Sequence, residues 1–334
     1  LPQPAYLLAT ELYNSLPAAL EILSFLNAEG LDGKILHGEM EDLVSEIEDL
    51  AEYKRVRDSI GAARLGVIGS PSDWLIGSRV DYEQASHHWG TEFLDIELDE
   101  LYQALKKVDA AKAKRIAADF LENAAEIIET NKAELVEAAK IYLALKEVIA
   151  DNQLDGLTIR CFDIVTELNT TGCLALAILN NEGLVSGCEG DIPAAFTMFL
   201  AHQLTGQMPN MANPAAIDKN KDEILFAHCT VATDISKEYI IRSHFETGIG
   251  VGIQGILEKG PVTVFKIGGA GLEQYFVAEG EIIENMDSPN ACRTQLKISL
   301  PQSSDYFLND AIGNHHLIIP GYYADKINEF LGME

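Results

Sequence analysis

Basic side chains are scarce in this chain of 334 residues. Only 24 lysines and arginines stand against 52 aspartates and glutamates, and the formal net charge at pH 7 is -28. Such a charge repels the phosphate backbone of nucleic acids and the anionic surface of membranes. We therefore expect no nucleic-acid partner. A solvated acidic surface accounts for most of this charge, although carboxylates are also good ligands for divalent cations.

Long apolar runs are missing as well. The longest runs, such as residues 173–179, are far shorter than the roughly 20 residues that a membrane-spanning helix needs, so we expect no membrane span. The first residues contain no basic leader followed by an apolar run, and they do not predict a signal peptide. The chain also lacks an initiator Met, from which we expect that it is processed or begins inside a longer protein.

Cysteine is infrequent, and no two cysteines form a CxxC pair. The five cysteines are an odd number and lie mainly in apolar sequence contexts, namely Cys161, Cys173, Cys188, Cys229 and Cys292. This pattern indicates buried free thiols in a reducing compartment. We therefore expect a cytoplasmic protein.

Several familiar catalytic motifs are absent. The sequence contains no GxSxG elbow, no HExxH helix and no GxxxxGK[ST] loop, so serine hydrolases, zinc proteases and P-loop enzymes lose their usual support. A GxGxxG pattern is present at Gly250, Gly252 and Gly255, but it leads into a predicted strand instead of opening a helix. These glycines therefore indicate bends in a sheet and not a dinucleotide site.

Strands and helices alternate in the first part of the chain. AYLLAT and KILHG predict strands on either side of an amphipathic helix, and RLGVIG and EFLDIEL repeat the pattern. Such alternation predicts a parallel sheet that is covered by helices on both faces. Residues 99–152 predict two or three long helices. From Ile241 onward, β-branched residues alternate with glycines and short turns, which predicts an antiparallel sheet and a small barrel.

An acidic turn comes directly before an apolar helix. Glu189 and Asp191 precede the segment IPAAFTMFLAHQLTG. The helix dipole alone favours anions at this position by roughly 0.3 to 1 kcal/mol, so a helix cap explains the turn without any function. The functional alternative is a pair of carboxylates that bind a cation.

Three of the eight histidines are candidate ligands. His228, His315 and His316 lie at the ends of apolar strands, where side chains converge on clefts. The other five are predicted to be packed or surface residues, namely His37, His87, His88, His202 and His244. Carboxylate, imidazole and the amide of Asn213 form a donor mixture that suits manganese or a similar divalent ion.

The acidic turn and its helix resemble a segment of the L-fucose isomerases, in which an E-x-D turn precedes a helix that ends in HQLTG. Three further segments resemble that family in the same order, namely GSPSDWLIGSRVD, AILN and the Gly-Asn-His motif that ends at His315. The histidine in AHCT and the His-His pair are similar to those of the related L-arabinose isomerases. The resemblance covers nearly the whole chain.

This resemblance implies an α/β protein with two Rossmann-like parallel-sheet domains and a β-barrel-like C-terminal domain. The first domain, residues 1–62, is expected to be partial, because the opening strands of the family's domain are absent. The second α/β domain is expected at 63–207 and the β-rich domain at 208–334. The family also implies a homo-oligomer, a hexamer or a trimer, in which the first domain helps to complete a neighbouring subunit's site.

The resemblance assigns roles residue by residue. Glu189 matches the family's metal-binding carboxylate, which also serves in proton transfer, and His315 matches the metal histidine, with His316 as the register alternative. Asn213 stands where the fucose isomerases have a second metal-binding aspartate. An amide oxygen binds a cation but takes up no proton at neutral pH.

Other residues are candidates for the missing base and for substrate contacts. Asp191 and His228 are the nearest substitutes for the aspartate that Asn213 replaces. Asp73 and Trp74 match the region where the second domain faces substrate. The remaining substrate-binding candidates are Arg160 and Asn314. Arg160 stands at a substrate-contact position where the family has glutamine.

The leading hypothesis is a manganese-dependent aldose-ketose isomerase that acts on a free sugar through a cis-enediol. A neutral polyol fits best, because no cluster of basic residues marks a phosphate pocket. One alternative is an enzyme of the same scaffold for an anionic sugar, which Arg160 and Asn213 favour. Another is a non-catalytic sugar-binding relative. A purely fold-level likeness predicts that Glu189 and His315 lie far apart.

Overall fold

The computed structural model describes residues 4–332 of the chain. The first three residues of the predicted domain 1–62 and the last two of the predicted domain 208–334 lie outside the described residues. The chain folds into two compact units. The first contains the residues up to Asp58 and those from Asn328 onward, and the second is Ser59–Ile327. The three predicted domain boundaries stay predictions.

The chain alternates strands and helices up to residue 205 and then consists mainly of strands. The strands are β1 (Ala5–Leu8), β2 (Gly33–Leu36), β3 (Arg64–Ile68), β4 (Glu92–Ile96), β5 (Glu126–Ile127), β6 (Gly156–Ile159), β7 (Val185–Cys188), β8 (Asn210–Asp218), β9 (Glu223–His228), β10 (Glu238–Arg242), β11 (Gly252–Ile256), β12 (Gly260–Gly268), β13 (Gln274–Asn285), β14 (Thr294–Ser299) and β15 (His316–Pro320). The α-helices are α1 (Ser15–Ala28), α2 (Met40–Ala62), α3 (Tyr82–Trp89), α4 (Leu98–Leu105), α5 (Ala110–Glu122), α6 (Lys132–Asn152), α7 (Cys161–Leu168), α8 (Cys173–Asn181), α9 (Ile192–Thr205) and α10 (Ala324–Leu331).

The first unit contains the predicted strand-helix-strand arrangement. β1 and β2 pair in parallel, and α1 forms the crossover that a parallel pair requires. Ala19 and Leu26 are the buried residues of this helix. Gly30 follows the helix with φ +69, a left-handed conformation that glycine adopts without a steric cost.

The second unit contains a four-stranded parallel sheet in the order β4-β3-β6-β7. Its strands are mostly apolar, and all four residues of β6 and of β7 are buried. Continuous burial is expected of parallel strands that have helices on their faces. The predicted α/β class is confirmed. Within residues 4–332, no helix is long and apolar enough to cross a membrane.

A closed barrel follows, with the strand order β12-β13-β14-β9-β8-β15. Neighbouring strands are antiparallel throughout, as predicted for the β-rich region. Phe226, Val264 and Ile298 are completely buried in one apolar cluster. Burial of side chains of this size stabilises a fold by about 1.5 to 3 kcal/mol each. The predicted barrel-like region is therefore confirmed.

The predicted start of the antiparallel region was wrong. The barrel begins with β8 at Asn210 and not near Ile241. β10 and β11 belong to a separate three-stranded sheet with β5. Gly252 and Gly255 lie inside β11, which confirms that the GxGxxG pattern does not open a helix.

Candidate metal and active site

Polar residues gather where three parallel strands end. Glu189 follows β7, Arg160 follows β6, and the segment 70–74 comes shortly after β3. The carboxyl ends of parallel strands share one edge of a sheet, and this edge is where open α/β sheets place their ligand sites. All of these residues lie in the second unit.

The turn that carries Glu189 has an unusual backbone. Glu189 has φ +62 and Gly190 has φ +68. A Cβ atom at Gly190 would lie 2.5 Å from the backbone oxygen of Ser70, so only glycine fits there. A left-handed residue other than glycine costs about 1 to 3 kcal/mol, and such residues concentrate at functional sites. The backbone N–H of Ser72 donates to the Glu189 carbonyl at 2.9 Å and holds the turn in place.

Asp191 caps the helix α9 and also contacts a histidine. Its Oδ1 accepts a hydrogen bond from the backbone N–H of Ala194 at 2.8 Å, which is the cap role expected from the sequence. Its Oδ2 lies 2.8 Å from Nδ1 of His315, and the Lys266 Nζ lies 3.7 Å from Oδ1. The side chains of Asp191, His315 and Lys266 are completely buried.

Glu189, His228 and His315 converge. Their ligand atoms all lie within 4.8 Å of one another. Nε2 of His315 is 3.5 Å from Oε1 of Glu189, and the two imidazole rings lie 5.4 Å apart between centroids. Glu189 and His315 are therefore close together, which contradicts the purely fold-level alternative.

Two buried polar atoms at this position lack hydrogen-bond partners within residues 4–332. They are Nε2 of His315 and Oδ1 of Asn213. An unsatisfied buried polar atom costs about 1 to 3 kcal/mol, so a ligand that engages both atoms would remove a real penalty. One carboxylate, two imidazoles and an amide oxygen suit a first-row divalent cation. The residues present therefore fit a metal ion.

Charge is unevenly distributed over the three convergent residues. Burial would raise the pKa of the Glu189 carboxyl, but His315 and the Trp74 N–H lower it to about 2. Burial lowers the pKa of His228 to about 3. Burial also opposes the charged form of His315, yet its hydrogen bond to Asp191 and the nearby Glu189 carboxylate raise its pKa to about 9. An ionised carboxylate and a neutral His228 are the forms that bind a cation.

A small cavity adjoins the convergent residues, and every cysteine of the chain lines it. Its lining residues are Cys161, Phe162, Cys173, Cys188, Glu189, Asn213, His228, Cys229, Thr230, His244, Glu246 and Cys292. The Sγ atoms of Cys161 and Cys188 lie 2.9 Å apart. The prediction of buried free thiols is confirmed for four cysteines, whereas Cys292 is only partly buried.

Comparison with known proteins agrees with this geometry. Residues 77–206 match the family model of the L-arabinose isomerase central domain. Over this segment the chain is similar to the L-arabinose isomerases. Its curated relatives include a sulfoquinovose isomerase of Alkalicoccus urumqiensis, which is 24% identical over 84% of this chain and 66% of the relative. Another, from Clostridium sp. (strain MSTE9), is 27% identical over 68% of this chain and 50% of the relative.

The resemblance inferred from the sequence is thus confirmed, at low identity. A further sulfoquinovose isomerase, from Priestia aryabhattai, is 23% identical over 64% of this chain and 49% of the relative. The chain spans about half to two thirds of the length of these curated relatives.

The structure brings Trp74 and Arg160 to the same edge of the sheet as Glu189. The Trp74 side chain donates its Nε1–H to Oε2 of Glu189 at 2.6 Å and is 51% exposed. Arg160 donates to Asp163 and to the carbonyl of Pro71, and its Nη2 lies 3.1 Å from a carboxylate oxygen of Asp73. Asp73 is well exposed, so its carboxylate faces solvent beside this guanidinium.

Two predicted site residues are not brought into the convergent group. Both ring nitrogens of His316 have other hydrogen-bond partners, since Nε2 lies 2.9 Å from the Tyr306 hydroxyl and Nδ1 lies 3.0 Å from the Asn314 carbonyl. Asn314 itself is exposed and does not line the cavity. The structure thus places His315, and not the adjacent histidine, beside Glu189.

Three residues at the site were missed by the sequence reasoning. His244 was expected to be an ordinary packed or surface residue; it is buried, but it also lines the cavity, with its ring 5.6 Å from that of Phe162. Glu246 lines the same cavity. Lys266 lies buried beside Asp191. None of them lies in a motif, and only an unusual lysine inside the apolar strand VTVFKI could have drawn attention to Lys266.

Proposed function

We propose that the chain is a metal-dependent aldose-ketose isomerase that acts on a free sugar through a cis-enediol. The observation that carries the proposal is the convergence of the partly buried Glu189 with the buried His228 and His315, whose ligand atoms lie within 4.8 Å of one another. Its position at the carboxyl ends of the sheet strands supports a ligand site. The relationship to isomerases supports the reaction class.

The residues that would hold Mn²⁺ or a similar cation are Glu189, His228 and His315, with the Oδ1 atom of Asn213 as a further oxygen donor. When bound, such an ion supplies Lewis acidity that stabilises negative charge on the sugar oxygens, worth several kcal/mol. The Asp191 carboxylate accepts a hydrogen bond from the Nδ1–H of His315, and this bond orients the ring so that its Nε2 atom points to Glu189. Carboxylates commonly orient metal-binding histidines in this manner.

Asp191 is better assigned a positioning role than the catalytic role expected from the sequence. Both of its oxygens are engaged, one with the N–H of Ala194 and the other with His315, and its side chain is completely buried. Burial would raise the pKa of Asp191, but Lys266 and His315 lower it to about 2. A carboxylate with this pKa and no open face is a poor proton carrier.

Substrate contacts are proposed for the residues at the open side of the site. Trp74 presents an exposed aromatic surface next to Glu189, and Asp73 and Arg160 lie on the same edge. Asn314 does not line the cavity, so it would contact only a substrate that extends beyond it. A small sugar is the partner that these groups suit.

A second candidate function is isomerisation of an anionic sugar. The relatives named sulfoquinovose isomerase act, by that name, on a sulfonated sugar. Arg160 supplies a cation at the sheet edge, although Asp73 and Asp163 already bind its guanidinium. A sulfonate at this position would replace the exposed Asp73 carboxylate. Arg160→Gln, which restores the residue expected from the fucose isomerases, would then lower activity on the anionic sugar alone.

Ketose formation tests the proposal. The purified chain would be supplied with L-fucose, L-arabinose, D-glucose and sulfoquinovose, in the presence of Mn²⁺ or of a chelator. We expect Mn²⁺-dependent turnover of at least one sugar and its loss in Glu189→Gln. The matched control is Glu258→Gln, because Glu258 is an exposed residue that pairs with Lys237. A folded, Mn²⁺-binding chain without turnover on any sugar would instead favour a non-catalytic sugar-binding protein.

Assembly and location are also proposals. We infer a homo-oligomer, a hexamer or a trimer, from the family relationship, and light scattering of the purified chain would measure it. A cytoplasmic location agrees with the unpaired cysteines. Fractionation of cells that produce the protein would test the location directly.

A further inference from the structure

The proposed isomerisation requires a group that moves a proton between C1 and C2 of the sugar. Asn213 cannot take up a proton at neutral pH, and both oxygens of Asp191 are engaged. Glu189 faces Trp74 and His315, and these contacts hold its pKa at about 2. A carboxylate of this kind suits a cation ligand better than a proton acceptor.

The cavity contains a second carboxylate. Among its lining residues, only Glu189 and Glu246 carry carboxyl groups. Glu246 is exposed, and within residues 4–332 its carboxylate has no hydrogen bond or ion pair with another side chain. It is therefore open to solvent, and it lines the same cavity as Asn213 and His228.

The loop that carries Glu246 is held firmly. It joins β10 to β11 and closes on itself, since the N–H of His244 donates to the Ile249 carbonyl at 3.0 Å and the N–H of Gly248 donates to the His244 carbonyl at 2.9 Å. Arg293 donates its Nε–H to the Ser243 carbonyl at 2.8 Å and fixes the start of the loop. A supported loop of this kind can position a catalytic side chain.

The surroundings also shift the pKa of this carboxyl group upward. Partial desolvation by the surrounding residues, and then the negative charge of Glu189, raise the pKa of the Glu246 carboxyl above its usual value. A base whose pKa lies closer to the operating pH transfers protons more efficiently. The pKa of Glu246 is thus raised and that of Glu189 lowered, as expected when the first residue carries a proton and the second binds a cation.

We propose that Glu246 is the catalytic residue that carries the substrate proton. This inference rests on the isomerase function proposed above. The Glu246 carboxylate removes the proton from C2, the electrons of the C2–H bond form the C1–C2 double bond of the enediol, and the oxygen on C1 takes up a proton from water. The carboxyl group then returns its proton to C1, where the electrons of the double bond form the new C1–H bond, while the hydroxyl on C2 gives its proton to water and becomes the ketone. No oxidant or reductant is required.

Glu246→Gln tests this assignment, because it removes the proton acceptor and keeps the size of the side chain. Turnover would be measured with the sugars of the panel above in the presence of Mn²⁺. Exchange of the C2 hydrogen with D2O would be followed by NMR, and Mn²⁺ binding by calorimetry. The matched control is Glu258→Gln, since that exposed glutamate lies in the turn between β11 and β12.

We expect kcat to fall about 100-fold or more in Glu246→Gln, together with the rate of C2 exchange. KM and the Mn²⁺ affinity should change by no more than about threefold, and Glu246→Asp should recover part of kcat. A variant that keeps kcat and C2 exchange within about threefold of the unmodified chain would overturn the role of Glu246 and leave the isomerase function intact. Absence of turnover in the unmodified chain would overturn both proposals.

Discussion

The Nδ1 atom of His315 lies 2.8 Å from Oδ2 of Asp191, and both side chains are completely buried. The hydrogen bond leaves Nε2 of His315 facing Glu189 without a hydrogen-bond partner among the described residues. A buried imidazole in this arrangement is oriented before any ligand arrives. The pair therefore links the cap of α9 to the group of candidate metal ligands.

Asp191→Asn should weaken Mn²⁺ binding by about tenfold to a hundredfold, as expected for loss of a carboxylate that orients a metal-binding histidine. The amide still offers an oxygen to the N–H of Ala194, so the helix cap should persist. Calorimetric titration with Mn²⁺ measures the effect. Asp109→Asn is the matched control, because Asp109 caps α5 away from the site. An unchanged Mn²⁺ affinity in Asp191→Asn would contradict the positioning role.

Mn²⁺ should stabilise the folded chain. A ligand that binds only the folded state adds about 2.7 kcal/mol to the free energy of unfolding when its concentration is a hundred times Kd. We expect the thermal midpoint to rise on addition of Mn²⁺ and to fall again with chelator. The rise should be absent in Glu189→Gln, which removes one of the three convergent ligands. An equal rise in that variant would show that Mn²⁺ binds elsewhere.

The metal-free chain should lose stability as the pH rises above neutral. The pKa of His315 is raised from 6.5 to about 9 in the folded chain, although burial opposes the charged form, because Asp191 and Glu189 bind the protonated ring. A raised folded pKa gives a stabilising contribution that is complete below pH 6.5 and is lost as the pH rises through 9. The change is measured by the urea concentration at the midpoint of unfolding, determined at both ends of this pH range with chelator present.

His315→Gln is the comparison for this pH dependence. Loss of one partner of a buried ion pair typically costs about 3 to 5 kcal/mol, so the variant should be less stable below neutral pH. The difference between the two chains should shrink as the pH rises through the folded pKa of His315. A difference that stays constant across this range would show that the imidazole does not change its charge there.

Cys292 should be the first thiol to react with iodoacetamide in the folded chain. It is only partly buried, whereas the other four cysteines are buried, so the reagent reaches it without unfolding. Mass spectrometry after a short exposure should find one modified site, and all cysteines should react in urea. Cys292→Ser should remove the early modification. Early modification of Cys161 or Cys188 would mean that the cavity opens more widely than the structure shows.

Much of the fold could be predicted from the sequence because helix and strand patterns are local. The alternation of apolar strands with amphipathic helices predicted the parallel sheet, and glycine-rich β-branched segments predicted the barrel. β8 was missed because its sequence, NMANPAAID, contains a proline and small residues that disfavour strands. The barrel accommodates Pro214 where the pairing with β9 shifts register.

The candidate site was only partly predictable. Glu189 and Asp191 were found because a carboxylate turn before a helix is a local pattern. His244 and Glu246 were not identified as site residues, because their loop lies far from Glu189 in sequence and has no motif. Tertiary contacts of this loop, such as the packing of His244 against the α7 residue Phe162, bring it to the cavity.

The sequence by itself determined which segments form strands and helices and where the acidic turn lies, since periodicity, capping and turn residues act over a few positions. The tertiary structure decided which histidines join that turn. Adjacent residues in an extended segment point to opposite sides, so the sequence alone could not choose between His315 and His316. Barrel closure directs His315 toward Asp191 and Glu189 and leaves His316 to Tyr306.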